Sequence, residues 1–371
     1  MTDYKNLIDG KMVDNGQWLE VLNPATEQVV GRVPSCGKEE LDSAVAAARR
    51  AFTQWKKTTA EERQQVVQGI AAAIKENADE LYRLLTSEQG KPHAQAQQEI
   101  YGAAGLAAAQ STLTLDDVIN QDDDTRLSRT RRVPVGVVGG IVPWNFPIMM
   151  AIQKIVPALV AGCTIVLKPS PFTPLTTLRV AELIKDVVPA GTVNIITGED
   201  TLGPLITEHP DIDKITFTGS TATGKKIMEG ASGDLKRITL ELGGNDASIV
   251  LPDADVQKVA EQLFWSSFSN AGQVCIAAKR IYIHEDIYDD LSKAIADYAK
   301  TVVVGDGSQQ GTGVGPIQNK KQYERVLDLI QDAKDNGYKF LTGGDKDPSG
   351  TGYYVPITIL DNPPEDARIV A

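Results

Sequence analysis

Lys214-Ile215-Thr216-Phe217-Thr218-Gly219-Ser220-Thr221-Ala222-Thr223-Gly224 is the stretch on which the reading of this chain turns. Residues 214–218 form a β-branched and aromatic run of strand length, and the glycines after it mark a strand-to-helix turn. Glycine there lets backbone approach a phosphate, while a helix N-terminus offers unpaired N–H groups and the positive end of a dipole. The turn is not the usual G-x-G-x-x-G, and no acidic residue stands at the spacing that grips a ribose. Taken alone, it is equally a plain strand-to-helix turn. Its neighbours have to decide.

Upstream, apolar strands are expected at 135–142, 163–167 and 193–196. Between them a helix is expected, with Thr173 as N-cap, Pro174 as first helical residue, and Leu178, Ala181, Ile184 and Val188 as its buried stripe. Continuous apolar strands alternating with helices predict a parallel sheet covered on both faces. Residues 238–242 and 248–251 carry the β character on towards a second α/β domain.

Nearer the start, an alanine-rich helix is expected over 39–55. A T-x-x-E capping box at Thr59 and Glu62 opens another, with Ile70, Ile74, Ala78, Leu81 and Leu85 on one face and Gly90-Lys91-Pro92 as its stop. Residues 112–130 are the most polar stretch between regular elements and read as an extended arm.

The chain has 371 residues, 37 Lys+Arg and 49 Asp+Glu, for a net charge of −12. An acidic surface repels phosphate backbones, so no nucleic-acid partner is expected; Arg126, Arg129, Arg131 and Arg132 follow Asp122-Asp123-Asp124 and read as a solvated mixed-charge segment. Three scattered cysteines, Cys36, Cys163 and Cys275, argue for a reducing compartment. The N-terminus lacks the apolar core of a signal peptide, and no apolar run is long enough to span a bilayer. The expectation is a cytoplasmic protein with no membrane partner. With three histidines, no CxxC and no HExxH, no metal site is expected, and any general base is expected to be a carboxylate.

Four further motifs carry chemistry. Lys168-Pro169-Ser170-Pro171 follows a buried strand, where lysine reaches a ribose or phosphate or is merely solvated. Thr239-Leu240-Glu241-Leu242-Gly243-Gly244-Asn245 places a carboxylate in an apolar strand, where desolvation would raise its pKa and suit it as a base, or else at the solvent edge of an amphipathic strand; the context favours the first. Asn270-Ala271-Gly272-Gln273-Val274-Cys275 follows an aromatic-rich helix, and its thiol is either a nucleophile exposed after a flexible glycine or a small buried hydrophobe. Cys163 reads as a buried hydrophobe and Cys36, in Pro-Ser-Cys-Gly, as an exposed bystander. Pro143-Trp144-Asn145-Phe146-Pro147 holds an amide donor rigidly beside an apolar wall, which suits an oxyanion hole; taken alone it is equally just an unusual loop.

In this order, and with Asn23-Pro24-Ala25-Thr26 before them, these segments resemble the aldehyde dehydrogenase superfamily over essentially the whole chain. The resemblance implies an α/β fold with a Rossmann-like parallel-sheet cofactor domain (1–112 and 135–243), an oligomerisation arm (113–134) and a catalytic α/β domain (244–371). It implies oxidation of a small-molecule aldehyde to the acid with NAD or NADP, through a thiohemiacetal and thioester on Cys275. Asn145 and the backbone N–H of Cys275 would hold the oxyanion, and Glu241 would activate water. The cofactor would lie against Ile141, Pro143, Trp144, Lys168, Ser170, Pro171, Gly203, Gly219, Ser220, Thr223, Gly224 and Leu242, with Phe146 and Phe268 lining the aldehyde tunnel.

Pro171 departs from the pattern, since NAD-preferring members often carry a ribose-gripping glutamate there; weak selectivity with NAD slightly favoured is expected. The family continues into a Glu-Pro-Phe-Gly-Pro segment where this sequence stops at Ala371, so a shortened or fragmentary chain is expected, with a homodimer or homotetramer for the full length. The rivals are a coenzyme A-acylating relative, disfavoured by Glu241, and a non-catalytic homologue or fragment.

Overall fold

A computed structural model describes residues 2–345 and 350–370; Met1 and Ala371, the outer limits of the expected domains, lie outside them. The chain divides into two compact units. The first holds residues up to Val21, Gly31–Tyr82 and Gln97–Glu241; the second holds Leu22–Val30, Arg83–Ala96 and residues from Leu242 onward. Thus residues 22–30 and 83–96, expected with the cofactor domain, pack in the second unit. Within it, Tyr353 N donates to Pro24 O at 3.0 Å and His93 N to Gly307 O at 3.0 Å.

In the first unit the strands are β1 (Thr2–Asp3), β2 (Asn6–Ile8), β3 (Lys11–Val13), β4 (Trp18–Leu22), β5 (Val29–Pro34), β6 (Val118–Asp123), β7 (Arg126–Thr130), β8 (Val137–Ile141), β9 (Thr164–Lys168), β10 (Val193–Ile195), β11 (Lys214–Thr218) and β12 (Arg237–Glu241); β4 and β5 extend into the second. A seven-stranded sheet runs β12-β11-β8-β9-β10-β2-β3. Its first five strands are parallel, and β2 and β3 close one side antiparallel. Every residue of β8 and β9 is buried, as continuous apolar runs between helical layers require.

Helix α1 (Lys38–Trp55) packs on β9 and β10, and α2 (Ala60–Glu76) on two helices described below. The Thr59–Glu62 capping box forms as expected. The single helix expected behind it is two, because Asn77 breaks the run and turns its amide to Ala73 O at 2.8 Å before α3 (Ala78–Gln89) begins. Helix α4 (His93–Gln110) leads to the polar segment, where β6 and β7 form an antiparallel hairpin with all but one residue exposed.

After β8 comes α5 (Pro147–Val160), and after β9 comes α6 (Leu175–Ile184); these two pack on α2. Thr173 does not cap α6. Its hydroxyl donates to Trp144 O at 3.3 Å, Pro174 takes the N-cap position, and the helix ends before Val188, which is buried in the following turn. Helices α7 (Leu202–Glu208) and α8 (Thr221–Ser232) flank β11. Residues 237–241 belong to this sheet, as an edge strand paired with β11, and do not start the second domain's sheet.

The second unit carries the parallel pair β13 (Asp246–Val250) and β14 (Ala278–Ile283), with α9 (Val256–Phe268) packed on α10 (Tyr288–Ala299), and α11 (Lys320–Asp335). Val250, Leu263, Leu291 and Ile295 form one core cluster, and Phe264, Ala299, Val314 and Ile357 another. Among the described residues no helix is long and apolar enough to cross a membrane.

Asp213, just before β11, accepts Val137 N at 2.7 Å and an ion pair from Arg49 of α1 at 2.8 Å. It therefore sets the start of β8 against β11. Asp213→Ala removes charged acceptors from a backbone N–H and a guanidinium, and should lower unfolding stability by about 2–3 kcal/mol. Asp213→Asn, which keeps an acceptor for Val137, should lose less in the same urea titration.

Candidate active site

Strand order reverses between β8 and β11: the chain runs outward through β9 and β10 on one side and through β11 and β12 on the other. Open α/β sheets bind ligands beyond the C-terminal ends of strands at such a point. Register brings the expected residues there, with Ile141 opposite both Lys168 and Phe217, and Thr218 opposite Glu241. Pro143, Trp144, Asn145 and Phe146 follow β8, all half-buried. Asn145 Oδ1 accepts Phe146 N at 3.1 Å, which orients its side chain.

Lys168 is 3% exposed. Its Nζ reaches only Pro169 O, at the long distance of 3.5 Å, among the described residues. Burial pulls its pKa down to about 8, against the opposing pull of Asp200. A buried ammonium with unused donors fits a partner rich in hydroxyls and phosphates. Ser170 is buried and its hydroxyl accepts Phe172 N at 3.3 Å, beside half-buried Pro171.

A Cβ on Gly219 would lie 2.4 Å from the Phe217 ring, so a larger residue there would have to displace that ring. Gly219 N donates to Glu241 O at 3.0 Å, tying the turn to the edge strand. Ser220 caps α8 by accepting Thr223 N at 3.2 Å, and Gly224 N bonds Ser220 O at 2.9 Å. The free first-turn amides and close backbone suit a pyrophosphate. Gly203 sits in α7 with open space where a Cβ would be, so nothing around it demands glycine.

Glu241 is exposed, contrary to the expected desolvation. The alternation of β12 turns it outward on an edge strand, so no apolar layer covers it. Lys154, unremarked in the sequence, is the buried titratable group nearby. On α5, it donates to Thr218 Oγ1 at 2.9 Å and Thr216 Oγ1 at 3.3 Å. Burial lowers its pKa to about 8, opposed by attraction to Glu241. Its signal is a lone cation in the apolar run of residues 147–160.

In the second unit, Cys275 is exposed. Three consecutive left-handed residues precede it, Asn270 (φ 51°), Ala271 (φ 56°) and Gly272 (φ 73°). Residues with a Cβ adopt this region at a cost, so the run persists only where surroundings hold it. Gln95 accepts Asn270 N at 2.9 Å and donates to Gly313 O at 3.0 Å. Gln273 donates to Asn270 O at 2.9 Å and accepts Gln318 N at 2.9 Å. Sequence reasoning gave neither glutamine a role: both partners of Gln95 and one of Gln273's, Gln318, come from distant segments. Leu242 is half-buried at the start of this unit, and Phe268 stacks on buried Phe264 at 5.0 Å.

Cys36 is not an exposed bystander. It is buried, accepts Asn6 Nδ2 at 2.8 Å, and burial drives its pKa up to about 12. Cys163 is buried as expected. Among the described residues no group of His, Cys, Asp or Glu is arranged to hold a metal ion.

The switch-point edge, the glycine turn and the buried lysine define a dinucleotide-binding α/β enzyme. Residues 12–371 match the aldehyde dehydrogenase family, and the chain belongs to it. It is an oxidoreductase that acts on aldehydes with NAD or NADP. A probable aldehyde dehydrogenase of a Pseudomonas species is 43% identical, covering 97% of this chain and 74% of the relative. The NADP(+) succinate-semialdehyde dehydrogenase GabD of Escherichia coli K12 is 38% identical over 98% of this chain and 77% of its own. The NAD+ complex of a Bacillus cereus aldehyde dehydrogenase superposes with a TM-score of 0.96 at 38% identity, covering 99% of this chain and 77% of that one.

Iodoacetamide at limiting concentration should modify Cys275 first, leaving Cys36 and Cys163 unlabelled until the chain unfolds; peptide mass spectrometry reads the order. Lys168 binds its proton less tightly folded (about 8) than unfolded (10.5). The parent's stability should therefore be penalised below pH 8 and recover as pH rises towards 10.5. Lys168→Met lacks that term, so its stability advantage over the parent should be greatest below pH 8 and shrink above it in unfolding titrations.

Proposed function

We propose that this chain oxidises an aldehyde to its carboxylic acid by covalent catalysis on Cys275, followed by hydrolysis. The observation that carries the reading is the alignment of Ile141, Lys168, Thr218 and Glu241 along one strand-end edge at the switch point. The Cys275 thiolate attacks the aldehyde carbon and forms a thiohemiacetal. The side-chain amide of Asn145 and the backbone N–H of Cys275 stabilise the charge that develops on oxygen. When bound, NAD or NADP supplies the hydride acceptor. Loss of hydride from the tetrahedral carbon leaves a thioester. Glu241 takes a proton from water, hydroxide adds to the thioester carbonyl, and collapse releases acid and thiolate.

Ile141, Pro143, Trp144, Lys168, Ser170, Pro171, Gly203, Gly219, Ser220, Thr223, Gly224 and Leu242 hold the cofactor in this reading. Lys168 meets the ribose hydroxyls, and the Gly219–Gly224 turn meets the pyrophosphate. Phe146 and Phe268 face the aldehyde. An exposed carboxylate at Glu241 has access to water, which favours hydrolysis over transfer to coenzyme A. The β6–β7 hairpin, with Val118, Ile119 and Leu127 exposed, serves self-association into a dimer or tetramer.

Glu241→Gln keeps the shape of the side chain and cannot take a proton from water. The expected result is a burst of reduced cofactor followed by a slow steady state. An unchanged steady-state rate removes Glu241 from the water-activating role. With Pro171 in place of a ribose-gripping carboxylate, one charged hydrogen-bonded contact worth about 1.5–3 kcal/mol is missing, roughly one to two decades of discrimination. NADP should accordingly be used at a measurable fraction of the NAD rate. Strict NAD preference by about three decades would assign the discrimination to another residue.

A further inference from the structure

We infer that Glu99 is a positioning residue for this reaction: it caps the helix that follows Asn145 and so fixes where the Asn145 amide stands. The inference rests on the role of Asn145 in the reading above. Glu99 lies on α4, is 3% exposed, and its Oε1 accepts Ile148 N at 3.0 Å and Met149 N at 3.2 Å. Those two amides are the second and third of α5, groups that have no partner inside their own helix. Helix α5 has no local means of satisfying them. Its N-cap is Phe146, with no side-chain hydrogen bond, its first residue is Pro147, and its first turn carries no acid.

Helices that begin this way are normally capped by Ser, Thr, Asp or Asn one position before the first turn. Here the cap comes from 49 residues away in sequence. The approach of the two helices is close enough that a Cβ on Gly102, one turn beyond Glu99, would lie 2.8 Å from Met149 Cε. A carboxylate at this end also complements the helix dipole. The chain then runs backwards from the capped turn through Phe146, whose N–H bonds Asn145 Oδ1 at 3.1 Å. Fraying of that turn displaces Phe146 and, with it, the plane of the Asn145 amide. Misplacement of a donor by about an ångström costs up to roughly a hundredfold in rate.

The test compares Glu99→Leu, Glu99→Asp and Glu99→Gln, each alone and in an Asn145→Ala background, in steady-state aldehyde oxidation and in amide hydrogen exchange. Leu removes the acceptor, Asp withdraws it by one methylene, and Gln keeps it. Glu99→Leu should lower kcat by about 10–100-fold with KM changed less than about twofold, and should speed exchange at Ile148 and Met149. Glu99→Gln should return kcat to within about threefold of the parent. In the Asn145→Ala background, Glu99→Leu should cost less than about twofold more, because two residues acting as a unit are not additive. If Glu99→Leu does not fold, Glu99→Asp carries the same comparison.

An equal loss of kcat in both backgrounds overturns the inference, as does an unchanged kcat with faster exchange. If Asn145→Ala alone leaves kcat untouched, the role of Asn145 falls first and takes this inference with it. That outcome is distinct, because it appears without any change at Glu99.

Discussion

The parallel pairing of β8 with β9 on one side and β11 on the other organises the first unit. Because β8 is buried along its whole length, neither neighbour can slip by one residue without exchanging core and covering faces. The register therefore sets the relative depth of Ile141, Lys168 and Phe217 to within a residue. Asp213 reinforces it from the opposite end, where Val137 N and Arg49 converge on one carboxylate. The segments beyond β8, β9 and β11 begin at positions determined by this ladder rather than by their own loop conformations.

That is why much of the fold was legible in the sequence. β-Branched runs such as 164–168 and 214–218 and the Gly219–Gly224 turn are local signals, and each stands in the structure close to where its residues imply. What was illegible depends on distant chain. Cys36 sits in Pro-Ser-Cys-Gly, a surface-like tetrapeptide, yet it is covered because Asn6 and Thr197 close over it; Cys36 N bonds Thr197 O at 3.0 Å. Glu241 failed in the opposite direction. Its Thr-Leu-Glu-Leu context suggests enclosure, but the strand ends up at the sheet edge, where alternation leaves one face wet. Asn77 ended a helix that periodicity alone would continue, since the apolar spacing persists on both sides of it.

Buried polar side chains are the second thread. Lys154, Lys168 and Glu99 are all nearly inaccessible in the first unit, and each would be costly without partners. Lys154 is satisfied by two threonine hydroxyls and Glu99 by two backbone amides, whereas Lys168 has one long contact. In the second unit the same logic holds a left-handed triplet in place. The side chains of Gln95 and Gln273 hold its first residue, taking the N–H and donating to the carbonyl of Asn270. Of these only Lys168 shows in local sequence, at the end of an apolar strand; Lys154, Glu99 and Gln95 lie on helices, where such residues look like ordinary surface positions.

The distribution of thiols has a consequence for the protein's tolerance of oxidants. Cys275 is the only cysteine of the second unit and the only exposed one, while Cys36 and Cys163 are enclosed in the first. Peroxide would convert Cys275 to the sulfenic acid, and no second accessible thiol in the chain is available to trap it as a disulfide. Return to the reduced state then depends on an external thiol such as glutathione. In its absence the same sulfur proceeds to sulfinic and sulfonic acids, from which it does not return.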